Sequence, residues 1–539
     1  MKVVLVAMIA LPLAMLSLLA LRPLRPLIVR SLGLAPLPAL ILLPAAWESQ
    51  QRSYGIWGSW TLVLDQPGAL MLGASAILWC IGGFAASAWL RSRAGQTQFA
   101  MWWLLTLSGS LGVFVAGDLV SFYLLYAAAS LPAYGLIVFA GGEGEMRAGK
   151  LTLAAALLGE AFILAAFVML ASDAAGAGLQ IRESVAAAVT APHVDAIIAL
   201  VILGFGFKIG LVPLHGWMPP SYSAGPLVAT AVLSGATSKA GMVGLIRFLP
   251  LDVAMPGWGL LLLTFGLISA FFGAIIGLTQ SNPRSVLAYS SISQLGQMAA
   301  ALGAGLSAGN GAAALMVAFY AVYHVLTKGG LFFALGMGSE NRAAAVPRWS
   351  FLTLAGLALG FAGLPLTGGA LGKLALKPLV DDGITGLLLS LAAVGSTVLM
   401  LHFLRLFGRS IDAHTEDQNS GMAPAWVVTA IIATVLPWWL FTAVTGMPLS
   451  SAVDLKALGE LFWPIALGMF VAWSVSAMGL LIPRLPPGDF LMPSLAHIAR
   501  GGDRLTAAIA WLDRTARQWQ ISSVLLLAAV LLISCLLFI

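Results

Sequence analysis

About sixteen runs of roughly twenty apolar residues follow one another along this chain, and that succession constrains the fold before anything else does. They fall near residues 3–21, 27–46, 69–90, 99–117, 119–140, 151–171, 195–213, 223–249, 257–279, 284–306, 312–338, 350–377, 384–408, 423–445, 461–483 and 521–538. A run of that length spans a bilayer as a helix, and lipid tolerates only helices and closed barrels, which satisfy their own backbone. The pattern is that of an all-α polytopic membrane protein. Composition agrees: 60% of the 539 residues are hydrophobic and 9% charged, where a soluble domain carries about a quarter charged. The apolar excess runs the whole length, which excludes a soluble enzyme held by a single anchor. The N-terminus has no clear small-residue cleavage site and reads as a first span. Cys80 and Cys535 lie in apolar runs and offer neither a disulfide framework nor metal-ligand spacing.

Basic residues orient the spans, because cytoplasmic loops are rich in Lys and Arg. Alternate loops and their edges hold Arg22, Arg25 and Arg30; Arg91 and Arg93; Arg147 and Lys150; Arg284; Arg342 and Arg348; Arg405 and Arg409; then Arg484, Arg500, Arg504, Arg514 and Arg517. The opposite loops offer little beyond Arg52, Arg182 and Lys456. This alternation puts both termini on the periplasmic side of a bacterial-type inner membrane. It also accounts for the net charge of +6 without a nucleic-acid partner. Residues 484–520 differ: "RLPPGDF" ends a helix, and "LAHIARGGDRLTAAIAWLDRTARQWQ" sets apolar residues at helical intervals opposite Arg and Asp. That predicts an amphipathic helix on the cytoplasmic face before the final span.

Only eight lysines occur, and four of them, Lys208, Lys239, Lys328 and Lys373, fall inside predicted spans. An ionisable group at membrane depth costs at least a few kcal/mol, about 2.5–3.5 on insertion scales, and usually marks an ion path or a paired site. Snorkelling to the interface suits Lys377 and Arg247. It suits Lys239 poorly, since "SGATSKAGMVGLIR" continues apolar on both sides. Two of the four sit beside helix breaks: Lys208 precedes "LVPLHGWMPP", and Lys373 follows "GLPLTGG". Such Pro/Gly interruptions are tolerated in membranes where they line buried cavities, and paired ones mark repeated transporter halves. In "YHVLTKGG", His324 and Lys328 are four apart, on one helix face. Burial disfavours a lysine's charged form and histidine titrates near neutrality, so this pair is suited to passing a proton.

"KIGLVPLHGWMPPSYSAGPLVATAVLSGATSKAGMVGLIR" (208–247) resembles the signature of the proton-conducting antiporter-like subunits. These are the large membrane subunits of respiratory complex I, Mrp-type sodium/proton antiporters and membrane-bound hydrogenases. Lys208, Pro213, His215, Trp217, Pro219, Pro226, Lys239 and Arg247 match it. So do "SVLAYSSISQLGQM" (285–298), "HVLTKGGLFF" (324–333) and "GLPLTGGALGKL" (363–374), and the resemblance covers about residues 100–410. It implies about fourteen core helices, here with two extra, and two inverted five-helix repeats with broken helices. On that pattern residues 1–98 hold three N-terminal spans, 99–249 the first repeat and 250–410 the second. Residues 411–483 add C-terminal spans, 484–520 the amphipathic helix and 521–539 the last span. The resemblance further implies a half-channel in each repeat, joined by a midplane row of charges. Lys208 would be the first-channel lysine, Lys239 with His324 and Lys328 the connection, and Lys373 the terminal residue of the second channel. His215 stands at the cytoplasmic end of the Lys208 span on this reading.

Three positions depart from the family pattern. The fifth-helix glutamate that pairs with the first lysine is absent, since Tyr126 is followed by Ala127. An acid appears one helix later, Glu160 in "LLGEAFIL". Either Glu160 substitutes as the partner of Lys208, or it makes a buried polar contact or faces a partner subunit and Lys208 has lost its switch. Asn282 stands where an Asp is common, and Tyr320 where many members have a histidine one turn before His324. Three functions follow: an ion-translocating subunit moving protons, with or without sodium exchange, in a larger membrane complex; a structural membrane subunit with impaired conduction; or a membrane subunit energising another process such as inorganic-carbon uptake. No cofactor or metal site is expected. "GGEGE" (141–145) is a turn rather than a nucleotide loop, so redox chemistry of an NADH:quinone oxidoreductase or hydrogenase type would sit on other chains.

Overall fold

The computed structural model describes residues 1–41, 52–57, 60–173, 178–337, 348–380, 383–412, 421–479 and 483–486. The expected amphipathic helix, beyond its first three residues, and the final span lie outside the described residues. Helix α1 (Lys2–Leu18) and the short α2 (Arg25–Arg30) are bent by 118°. Pro23 and Pro26 lie at the turn, where neither has an N–H to continue the helix. After Gly33 comes α3 (Leu37–Ile41). The expected span at 27–46 is therefore, in its described part, two short helices, because Pro36 and Pro38 follow Gly33 too closely for one. A hairpin follows, β1 (Arg52–Trp57) with β2 (Trp60–Leu64), pairing Arg52 with Leu64 and Ser53 with Val63. The apolar runs had not foreseen it. It is hooked onto the loop after α5 by Val63 N–H to the Val115 carbonyl (2.7 Å) and Gly117 N–H to the Thr61 carbonyl (2.9 Å).

The chain continues through α4 (Gln66–Trp89), α5 (Gln96–Gly112), α6 (Leu119–Ser130), α7 (Ala133–Ile137), α8 (Glu143–Asp173) and α9 (Ile181–Ala188). Carboxylates cap two of these helices: Asp65 accepts from Gly68 N–H at 2.7 Å, and Asp118 from Ser121 N–H at 2.8 Å. The expected breaks are present. α10 (Val194–Ile209) ends at Gly210, whose φ of 70° is left-handed, and the helix resumes as α11 (Met218–Ala224). α12 (Leu227–Val232) passes through a π-helical turn, Leu233–Thr237, into α13 (Lys239–Phe248). Then follow α14 (Pro256–Leu278), α15 (Pro283–Ala308) and α16 (Ala312–Met337). The second break separates α17 (Arg348–Gly360) from α18 (Gly368–Val380), and α19 (Ile384–Asp412), α20 (Met422–Thr445), α21 (Ser450–Val453) and α22 (Leu455–Ala477) complete the described chain.

Among the described residues, eight helices are long and apolar enough to cross a membrane, or nine if α1 and α2 form one span. The sequence runs outnumber them because several are interrupted or polar. α10/α11, α12/α13 and α17/α18 are broken, and α15 carries serine and glutamine along its length. α16 is the axis of the fold, packed by α20, α4, α18, α12 and α15. Its apolar window is 89% buried, against 17% for the peripheral α22. Antiparallel α14 and α15 meet backbone to backbone. A Cβ on Gly259, Gly266 or Gly273 would lie 2.6 Å from the Gly303 carbonyl, 2.5 Å from Ala300 N and 2.6 Å from the Tyr289 carbonyl, respectively. Small residues at seven-residue spacing permit that approach, which is the usual route to dispersion contact between helices in lipid.

Candidate functional site

Three clusters hold the residues singled out above. In the first, Lys208 is in the last turn of α10, immediately before the break. Its Nζ donates to the Ser130 hydroxyl of α6 at 2.8 Å and lies 5.6 Å from the Tyr126 ring centroid. Glu160, on α8, is only 4% exposed and feels the Lys208 charge. Among the described residues no direct ion pair joins the two, and Glu160 Oε1 has no hydrogen-bond partner. Beside them lies a cavity with about 40 Å³ open to the centres of water molecules. At roughly 10–15 Å³ per water that is room for two to four. Its wall runs from Lys208 and Ser130 past Thr152 and Tyr222 to Thr237 and Ser238, so it ends beside the next lysine.

The second cluster lies where α13 meets α16. Lys239 Nζ is 2.7 Å from His324 Nδ1 and donates also to Ser238 Oγ (3.0 Å) and the Ser234 carbonyl (3.4 Å) of the π-helical turn. A neutral His324 accepts at Nδ1 from the ammonium; its Nε2 has no partner among the described residues. Lys328, four residues on, turns to α15 instead, donating to the Leu287 carbonyl and the Ser290 hydroxyl. The two residues expected as a pair on one face thus serve different neighbours. All three side chains are fully buried.

The third cluster is the second break. Lys373 Nζ donates to the Ala362 carbonyl at 2.6 Å, folding its stem over Gly363, whose φ is 98°. The neighbouring Phe361 ring lies 5.1 Å from Lys328 Nζ and 5.5 Å from the His324 ring. Phe361 thus adjoins Lys328 and His324 and directly precedes Ala362, whose carbonyl holds Lys373. His215 lies in the first break, just beyond the end of the Lys208 helix. It is 1% exposed, its ring 4.7 Å from Phe272 of α14. Two turns of α11 separate it from the Ser223–Gly225 turn, whose carbonyls accept from Arg284 at 3.3 and 3.2 Å.

A family model described as NADH:quinone oxidoreductase/Mrp antiporter, transmembrane, matches residues 116–399, just over half of the chain. The chain belongs to this family. It is a multi-pass membrane protein. It is 28% identical over 377 residues to NADH-quinone oxidoreductase subunit N of Ectopseudomonas mendocina (strain ymp), covering 66% of this chain and 75% of that one. It is 26% identical to hydrogenase-4 component B of Escherichia coli (strain K12) over 289 residues, 51% of this chain and 43% of that protein. In fold it resembles a chain of the Mrp complex from Dietzia sp. DQ12-45-1b, with a TM-score of 0.73 at 21% identity, covering 100% of this chain and 63% of that one. It also resembles a chain of the membrane-bound sulfane sulfur reductase, an archaeal respiratory membrane complex. That match has a TM-score of 0.66 at 20% identity and covers 86% of this chain and 99% of that one. The chain thus spans less than two thirds of the hydrogenase and Mrp chains it matches.

Within the family pattern, two departures acquire local roles. Asn282 caps α15, accepting from Arg284 N–H at 2.9 Å, a task any Asx side chain performs. Tyr320, in the place of a histidine, donates to Gln294 Oε1, and Gln294 Nε2 donates on to Ser396 Oγ at 3.1 Å. Two residues set aside as snorkelling are anchored. Arg247 donates to the Ala116 and Phe114 carbonyls at 2.6 Å each and pairs with Asp65 at 3.3 Å. Lys377 pairs with Glu460 at 2.6 Å. Ser130, Ser238 and Ser290, the direct partners of three lysines, were missed because serine is common in membrane helices and no spacing marks these three. Asp118 was missed too: fully buried, it holds Thr61 N–H at 2.7 Å and ties β2 to α6.

Proposed function

We propose that the chain is an ion-translocating subunit of a multi-subunit complex in the bacterial inner membrane. It moves protons along the row Lys208, Lys239, His324, Lys328 and Lys373, with Glu160 as the partner of Lys208. The observation that carries the reading is the 2.7 Å contact between Lys239 and His324, 85 residues apart in sequence. It joins the helix pair after the first break to the helix before the second. Residues 99–249 and 250–410 act as the two inverted halves, each contributing one broken helix and one lysine beside it. Both termini face the periplasm. The membrane subunits among the relatives support a partner-bound role, with the redox or other driving reaction on other chains.

Ala127 motivates a subunit of impaired conduction; a buried acid, Glu160, directly after Gly159 in the wall of the cavity that Lys208 also lines, speaks for a working switch instead. The test is transport by the complex purified from its own membranes and reconstituted into liposomes. Lys208→Ala, Glu160→Gln and Lys373→Ala should each stop proton movement without loss of assembly. Transport at the parental rate in all three would overturn the reading.

A further inference from the structure

We propose that Tyr323 positions the Ala362 carbonyl for Lys373 at the second break, a role that rests on the ion-translocating reading above. α17 ends at Gly360, where helix carbonyls lose their usual amide partners. The Phe361 N–H, the ordinary partner of the Leu357 carbonyl, bonds to the Ala358 carbonyl instead at 3.2 Å. Tyr323 of α16 takes the freed Leu357 carbonyl, its hydroxyl donating at 3.1 Å. The next carbonyls are met within the turn. Leu359 accepts from the Ala362 and Leu364 N–H groups at 2.9 and 3.2 Å, and Gly360 from the Gly363 N–H at 2.9 Å. The Ala362 carbonyl then takes Lys373 Nζ at 2.6 Å. Two side chains, Tyr323 and Lys373, thus complete the end of α17, one before and one after a single turn of backbone.

The ring of Tyr323 is seated between the two helix ends. A Cβ on Gly368 would lie 2.5 Å from its Cδ2 and one on Gly369 2.9 Å from its Cε1, while one on Gly360 would run into its hydroxyl. Three glycines of the break therefore admit one tyrosine. Tyr323 is 1% exposed, so bulk water does not replace the hydroxyl. It is also the neighbour of His324, which α16 turns toward Lys239. One helix thus fixes the central contact and, one residue earlier, the turn that carries the acceptor of Lys373. An ammonium away from water depends on the acceptors it finds, because an unpaired charge there is the costly state. For Lys373 that acceptor is the Ala362 carbonyl, so its placement bears on how readily the amine takes and holds a proton. The Tyr323 bond holds the end of α17, and the bond from Ala362 N–H to the Leu359 carbonyl carries the constraint to the acceptor.

Tyr323→Phe keeps the ring in its glycine seat and removes the donor to Leu357. Trp438→Phe is the comparison, since Trp438 of α20 also donates to the break, at the Leu366 carbonyl, through a longer and exposed bond of 3.3 Å. Both are made in the assembled, reconstituted complex, with Lys373→Ala as control. Transport is read beside the nitrogen resonance of Lys373 Nζ in lysine-labelled complex, assigned by its absence from Lys373→Ala. Tyr323→Phe should assemble, transport about 10-fold more slowly, the scale of one buried hydrogen bond, and move the Lys373 signal while the Lys208 signal stays. Trp438→Phe should match the parent within about twofold and leave the signal in place. Parental transport or an unmoved Lys373 signal in Tyr323→Phe overturns the role. So does an equal loss in Trp438→Phe, which would make any donor to the break equivalent, and so does failure of Tyr323→Phe to assemble, which would make the hydroxyl a folding contact. If Lys373→Ala runs at the parental rate, the translocation reading itself fails and the positioning role falls with it; if it is silent while Tyr323→Phe is parental, only the positioning role fails.

Discussion

Replacing His324 with leucine tests the central connection most directly. Leucine fills similar space but offers nothing to Lys239 Nζ at the 2.7 Å contact. Lys239 would keep Ser238 Oγ at 3.0 Å and, from the π-helical turn, the Ser234 carbonyl at 3.4 Å. A hydrogen bond from a charged donor is worth about 1.5–3 kcal/mol. On the proposed route its loss falls on the state in which a proton rests on Lys239. At about 1.4 kcal/mol per tenfold, transport slows by roughly 10- to 150-fold. The assay is acidification of liposomes containing the assembled complex, expressed per assembled complex. His324→Asn separates two roles of the ring. An asparagine oxygen replaces the Nδ1 acceptor, but the amide does not carry a proton. Recovery in the Asn variant would limit His324 to holding Lys239; an Asn variant as slow as Leu makes the ring itself a carrier. Parental transport in His324→Leu, within about twofold, would refute the reasoning.

Arg247→Ala removes the donors to the Ala116 and Phe114 carbonyls and strands Asp65. It should cost about 3 kcal/mol, the scale of a broken, mostly buried pair, and appear as less assembled complex on detergent gels. Lys377→Ala breaks an ion pair whose members are 42% and 38% exposed, so stability should change by less than about 1 kcal/mol and transport should be unaltered. Gly266→Leu puts a side chain where a Cβ alone would lie 2.5 Å from Ala300 N, forcing α14 from α15. Overpacking of this kind costs about 1–3 kcal/mol or more, and the thermal transition of the complex should fall. Phe361→Ala removes the ring beside Lys328 and His324, next to the carbonyl that holds Lys373. It should cost about 3–5 kcal/mol as a cavity and lower the barrier to passive proton leak, read with the driving reaction stopped.

Sequence alone determined the helical membrane class, because bilayer thickness and backbone satisfaction translate directly into apolar run length. It also marked the two breaks, since proline and glycine act locally: the chain leaves helical geometry at Gly210 and again before Gly368, where the motifs predicted. The buried lysines were legible because a charge within an apolar run is conspicuous whatever surrounds it. Their partners were not. That Lys208 meets Ser130, that Lys239 and not Lys328 takes His324, and that Lys328 turns to Leu287 and Ser290 depends on which helix faces lie side by side. Periodicity fixes a residue's place on its own helix; distances of 3 Å between helices are set by the packing of the whole bundle. For that reason the loss of a carboxylate at Ala127 looked like the loss of a switch. Only the tertiary structure sets the buried Glu160 of α8 next to the wall of the cavity that Lys208 and Ser130 line.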